Sequence, residues 1–196
     1  VELIEGRARI VNGHTVEVEG KQFNCKNILI ATGGWPYVPD IPGRQHAITS
    51  NEVFYLDELP KRALVIGGGY IAVEFAGILH GLGVDITQLY RGSMFLRGFD
   101  NEVREFLAEE MKKKGIKLEF NVNATSIEKQ EDGQLLVSLD NGHQVTTDAV
   151  FYATGRRAMT ADLGLENVDV ELRDNGSIVV DDYYQSAEPS IYAIGD

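Results

Sequence analysis

The sequence predicts an α/β fold: a parallel sheet with an antiparallel β-meander added to it. An apolar run at 63–66 breaks at Gly67-Gly68-Gly69, gives way to a helical period over 70–82, and resumes as a second run at 84–90. That is the strand–helix–strand order of a parallel sheet. A second helical stretch, 101–114, leads to a third apolar run at 116–120. Beyond residue 124 the period drops to two, and the turn signals Asp132-Gly133 and Asn141-Gly142 separate alternating stretches, as in antiparallel hairpins.

Taken in order, residues 2–11 and 14–19 read as strands around Asn12-Gly13, with a further turn at Gly20-Lys21. Residues 27–31 form a buried strand that ends in Thr32-Gly33-Gly34. Pro36, Pro39, Pro42 and Gly43 make 34–47 a connection and a domain boundary. Ser50 is expected to cap a short helix that runs to Leu56. The apolar face expected for the 70–82 helix is Ile71, Phe75, Ile78, Leu79 and Leu82, with Gly83 stopping it. Asp100 is the expected cap of 101–114, whose apolar face would be Val103, Phe106, Leu107 and Met111. Glu102 and Glu105 fall early in this helix and Lys112, Lys113 and Lys114 late, which suits its dipole; Gly115 closes it. Further strands are expected at 124–130, 134–140, 148–153, 177–180 and 191–194.

Composition narrows the classes of function. The 196 residues carry a net charge of −12 and 43% apolar side chains. This describes a globular protein that does not seek nucleic acid or an anionic membrane. Cys25 is the only cysteine, which excludes an internal disulfide and a thiolate zinc site, and His14, His46, His80 and His143 lack metal-ligand spacing. Residues 63–83 are apolar but interrupted by glycines, Glu74 and His80, so a membrane span is not expected. No signal peptide opens the chain, so a cytoplasmic location is expected. The chain begins at Val1 without methionine and stops at Ile194-Gly195-Asp196 straight out of an apolar run, and a piece of a larger protein is expected.

The strongest site signal is Gly67-x-Gly69-x-x-Ala72, placed between a strand and a helix, the context of a Rossmann dinucleotide turn. Gly67 permits the tight turn, Gly69 lets the backbone approach a pyrophosphate, and Ala72 lets the helix pack close to the sheet. The free N–H groups of the helix start favour an anion there. An NAD site usually has Asp or Glu at the end of the second strand. Here Tyr90 is followed by Arg91, with Arg97 six residues on. Two guanidiniums clamp a 2′-phosphate and an acid would repel it, so the expected cofactor is NADP(H). Tyr70 and Glu74 share one helix face beside this site. Thr32-Gly33 and Thr154-Gly155 end two strands and add backbone amides at a sheet edge, whereas Cys25 reads as structural.

Four ordered segments resemble the FAD-dependent pyridine nucleotide–disulfide oxidoreductases: Ile28-Leu-Ile-Ala-Thr-Gly-Gly34, Val65-Ile-Gly-Gly-Gly-Tyr-Ile-Ala-Val-Glu74, Ala153-Thr-Gly-Arg156 and Ile191-Tyr-Ala-Ile-Gly-Asp196. The resemblance implies a partial FAD-binding domain at 1–47 and 158–196 around an NADP-binding domain at 48–157. It implies that Gly68, Tyr70, Ile71 and Glu74 meet the pyrophosphate and nicotinamide, that Arg91 and Arg97 take the 2′-phosphate, and that Gly155 lines the same site. It further implies that Ala8, Thr32, Gly33 and Asp196 meet FAD.

Within the family, the resemblance carried by Gly69–Glu74 together with Tyr90–Asp100 implies oxidised glutathione as the substrate of a homodimeric full-length protein. Other disulfide substrates, a non-catalytic dinucleotide-binding module and an interaction domain on a degenerate scaffold stay open. The family often has Gly-Arg-x-Pro-Asn after the second Thr-Gly strand, where this chain has Gly155-Arg156-Arg157-Ala158-Met159. The family's redox cysteine pair, FAD diphosphate turn and catalytic His–Glu pair have no counterpart among these residues. No catalytic residue, no turnover and little FAD binding are therefore expected of this chain alone.

Overall fold

The computed structural model describes residues 1–196. In chain order the elements are β1 (Ala8–Asn12), β2 (Thr15–Val18), β3 (Lys21–Asn24), β4 (Ile28–Ile30), β5 (Gly34–Pro36), β6 (Ala47–Ile48), β7 (Arg62–Ile66) and α1 (Tyr70–Gly81). There follow β8 (Asp85–Tyr90), α2 (Asn101–Lys113), β9 (Lys117–Phe120), β10 (Ala124–Lys129), β11 (Leu135–Leu139), β12 (Gln144–Thr147), β13 (Ala149–Tyr152), β14 (Arg156–Ala158) and β15 (Ile191–Ala193). The chain forms two compact units, Val1–Trp35 with Arg156–Asp196, and Pro36–Gly155. Residues 36–47, expected with the flank, lie in the central unit because β6 pairs with β13.

In the central unit a five-stranded sheet has the order β6-β13-β7-β8-β9, with parallel pairing throughout. Side-chain alternation along each strand feeds two cores. Ala63, Val65, Ile86 and Phe151 pack with α1 and α2 on one face, and Leu64, Ile66, Leu89, Val150 and Tyr152 pack with the β10-β11-β12 meander on the other. Burial with no hydrogen-bond partner for its hydroxyl pushes the Tyr152 phenol up to about 12.

The helix faces agree with the sequence expectation in part: Ile71, Phe75, Leu79, Leu107 and Met111 pack on the core as expected. In α1 the buried residues are Ala72, Ala76 and Leu79, whereas Ile78 and Leu82 are exposed. Small side chains let this helix sit close to the sheet, and Phe75 packs beside them on Phe151, with 5.0 Å between ring centroids. In α2 Ala108 and Met111 are buried, while Val103 and Phe106 are exposed. Asp100 caps α2 as expected, its Oδ1 accepting from the N–H groups of Glu102 and Val103. The short helix after Ser50 is a single tight turn, Val53–Tyr55. Thr49 and Glu52 organise it instead of Ser50, since Glu52 accepts from both the N–H and the hydroxyl of Thr49.

In the other unit β1-β2-β3 is an antiparallel sheet around the expected Asn12-Gly13 turn, and β4 pairs in parallel with β15. Residues 2–7 are not strand, and the strand expected at 177–180 is reduced to one bridge, Leu172 to Ile178. Neither segment has a neighbouring strand of matching length. No helix is long and apolar enough to cross a membrane.

Arg62 and Asp148 fasten the amino end of β7 to that of β13. The guanidinium donates to both carboxylate oxygens, at 3.3 and 2.8 Å, and the Arg62 N–H adds a bond at 2.9 Å. The Arg62 hydrogen bonds hold the Asp148 carboxyl below its ordinary range. A carboxylate with a depressed folded-state pKa contributes stability above the unfolded value of about 3.9, and loses it as pH falls through the folded value. Urea unfolding of Asp148→Asn should therefore show lower stability than wild type at neutral pH, and the gap should narrow below about pH 4.

Candidate functional site

Because β13, β7 and β8 are adjacent and parallel, their carboxyl ends bring three loops side by side: Ala153 to Gly155, Gly67 to Gly69, and Arg91 to Asp100. Open α/β sheets bind ligands at this edge. The glycine turn is the tightest part. Gly67 has φ +148°, and a Cβ on it would collide with the carbonyl oxygen of Ala153. A Cβ on Gly68 would enter the ring of Tyr90. Neither space admits an alanine. The turn is bonded as well as packed: Gly67 N–H donates to Leu89 O at 2.9 Å, and buried Gln88 donates from Nε2 to Gly67 O at 3.0 Å.

Gly69 differs from its neighbours. Its backbone is extended, at φ −84°, and a Cβ there would meet nothing within 4 Å. It precedes α1 with no side-chain cap, and no acid lies in the helix's first turn. The start of α1 is thus open to an anion, whereas that of α2 is closed by Asp100. Tyr70 and Glu74 lie one turn apart on α1, both exposed.

Arg91 and Arg97 are both exposed on the loop after β8, and neither has an ion-pair or hydrogen-bond partner. The loop is anchored by its backbone. Leu96 N–H donates to Gly68 O at 2.6 Å, and Gly92 O accepts from Asn121 N–H at 3.0 Å. Phe95 is fully buried, and Arg104 donates to the carbonyls of Met94 and Phe95. Sequence reasoning missed Gln88, the Leu96–Gly68 bond and Arg104. The amide of Gln88 inside an apolar strand was a readable signal, whereas Arg104 looks like any solvated helix residue. The site so built can hold an anion at the helix start and a second one at the arginines.

In the other unit, Thr32 and Gly33 follow β4, and Asp196 follows its parallel neighbour β15. Arg156 lies between these ends: Nε donates to Asp196 Oδ2 at 3.1 Å and Nη2 to the Gly34 carbonyl. Ala8 is exposed on β1, opposite Val18. Cys25, expected to be structural, is free and exposed. No group of acids, histidines and cysteine is arranged to hold a metal ion.

The family model for pyridine nucleotide–disulphide oxidoreductases matches residues 1–196. Over the whole chain, identity is 50% to glutathione reductase of Burkholderia cepacia, of which 43% is covered. Trypanothione reductase of Trypanosoma congolense is 42% identical over 90% of this chain and 36% of its own length. Among solved structures, the HOCl-induced flavoprotein disulfide reductase RclA of Escherichia coli matches the full chain with a TM-score of 0.93 at 32% identity, with 45% of its own length covered. The chain thus spans less than half the length of these relatives. It belongs to the pyridine nucleotide–disulphide oxidoreductase family.

Proposed function

We propose that this chain is the NADPH-binding portion of a flavoprotein disulfide reductase, and that the full-length protein is a glutathione reductase. The observation that carries the cofactor assignment is the pair of exposed, unpartnered guanidiniums of Arg91 and Arg97, on a strand end without an acid. The 50% identity to a glutathione reductase, against 42% to a trypanothione reductase, supports the substrate.

The residues fit a dinucleotide. The open space over Gly69 and the uncapped α1 take the pyrophosphate on the N–H groups of Tyr70 and Ile71. Gly67 and Gly68 hold the turn low enough for that approach. Arg91 and Arg97 bind the 2′-phosphate, and charge-assisted bonds of this kind contribute about 1.5–3 kcal/mol each in favourable geometry. Tyr70, Glu74 and Gly155 line the nicotinamide side.

The flanks belong in this reading to the FAD domain, bounded by the sequence at 1–47 and 158–196 and by the compact units at 1–35 and 156–196, around the NADPH domain. Ala8, Thr32, Gly33 and Asp196 face the flavin nucleotide. Arg156 occupies Asp196 Oδ2 and leaves Oδ1 to accept from a hydroxyl. When bound, NADPH would supply a hydride and FAD would be its acceptor. Cys25 has no second cysteine to pair with, so disulfide exchange with oxidised glutathione belongs to other residues of the full-length protein, which we place in the cytoplasm as a homodimer.

Two measurements test these assignments. Arg91→Ala and Arg97→Ala should each weaken NADPH binding by about tenfold or more and leave NADH within about twofold. Equal losses for both nucleotides would show general attraction of anions instead. The purified 196-residue chain should not oxidise NADPH in the presence of oxidised glutathione, and steady turnover would overturn its assignment to electron input.

A further inference from the structure

Arg104 makes three hydrogen bonds, all to the loop that carries the two arginines or to the helix start that follows it. Nε donates to Phe95 O at 2.7 Å, Nη2 to Met94 O at 2.8 Å, and Nη1 to Asn101 Oδ1 at 2.8 Å. All three acceptors are neutral, and no carboxylate pairs with this guanidinium. The residue is half-buried on the first turn of α2, and its own N–H donates to Asp100 O at 3.1 Å. Its position is therefore set by a helix that the Asp100 side chain already caps.

The held segment is anchored by the burial of Phe95 and Leu96 in the core and by the Gly92 O bond from Asn121 N–H, but its backbone belongs to no regular element. Between β8 and α2 there is neither strand nor helix. Leu96 adopts a left-handed conformation, φ +55°, which an unrestrained leucine avoids. On one side of the segment the Leu96 N–H is bonded to Gly68 O. On the other the fork of Arg104 spans two successive carbonyls, those of Met94 and Phe95. Arg97 is the next residue after this pinned stretch.

We infer that Arg104 is a positioning residue for cofactor selectivity: it fixes the distance between the arginine loop and the glycine turn, so that a nucleotide held at α1 presents its 2′-phosphate to Arg91 and Arg97. This rests on the proposed NADPH assignment. The planar guanidinium presents its donors to the two carbonyls in a fixed fork, which a flexible lysine ammonium does not pre-organise. Ordering the loop before the ligand arrives removes that entropy from the cost of binding. The benefit goes only to a nucleotide that uses the loop.

The test is titration of NADPH and NADH against the full-length protein as wild type, Arg104→Ala and Arg104→Lys, with thermal unfolding followed in parallel. Arg104→Ala should weaken NADPH by about tenfold and NADH by less than about twofold, and Arg104→Lys should fall between. Loss of both nucleotides by the same factor, in a lysine variant that unfolds at the wild-type temperature, would overturn the inference and leave Arg104 a structural residue. So would unchanged NADPH binding in both variants. A wild-type protein with no preference for NADPH would overturn the cofactor assignment itself, and this inference with it.

Discussion

The backbone of Gly67 and Gly68 lies against two neighbouring strands with no room for a side chain. The Ala153 carbonyl closes one side and the Tyr90 ring the other. Everything at the sheet edge takes its position from that approach. The turn can run low over the sheet only because both residues lack a Cβ, and α1 then starts beside the end of β7 with its first N–H groups uncovered. The Gly68 carbonyl is presented to Leu96, which brings in the arginine loop. Charge distribution follows from the same construction. A chain with a net charge of −12 cannot draw an anionic nucleotide by its overall field. Local cations that no carboxylate neutralises must do so instead.

Much of this was legible in the sequence where one residue type has one physical role. The Gly67 to Gly69 turn, the Asp100 cap and the Asn12-Gly13 hairpin each depend on local geometry that few residues can adopt, and each stands where it was expected. The change of period after residue 124 likewise marked the meander. The faces of α1 and α2 were legible in part: Ile71, Phe75, Leu79, Leu107 and Met111 pack on the core as expected, whereas Ile78, Leu82, Val103 and Phe106 do not. Periodicity counts large apolar residues, but burial here goes to Ala72, Ala76 and Ala108, because interhelical and helix–sheet distance is set by the smallest side chains. Ile78 and Phe106 satisfy the same period and remain outside.

The candidate site shows the same division. Glycines and arginines led, from the sequence alone, to the expectation of a phosphate-binding edge. What holds them there is spread over residues whose roles exist only in three dimensions, such as Gln88 on the Gly67 carbonyl. The strand expected at 177–180 failed for a related reason: β-branched residues favour a strand, but a partner must lie alongside it, and pairing here stops at the single bridge of Ile178 to Leu172.

The order of strands in the central sheet also bears on how the chain is made. β13 fills the slot between β6 and β7, although it is synthesised after every other strand of that sheet. A ribosome emits β7, α1, β8, α2 and β9 as a contiguous right-handed wind, while one flank of β7 remains an unpaired edge of apolar residues. β6 pairs with no strand but β13, so the sheet is completed only when this last strand pairs with β7 and β6 together, a non-local closure that is slow by nature. During that interval the nascent chain presents an open edge to its neighbours, and crowding or truncation would expose it to intermolecular pairing.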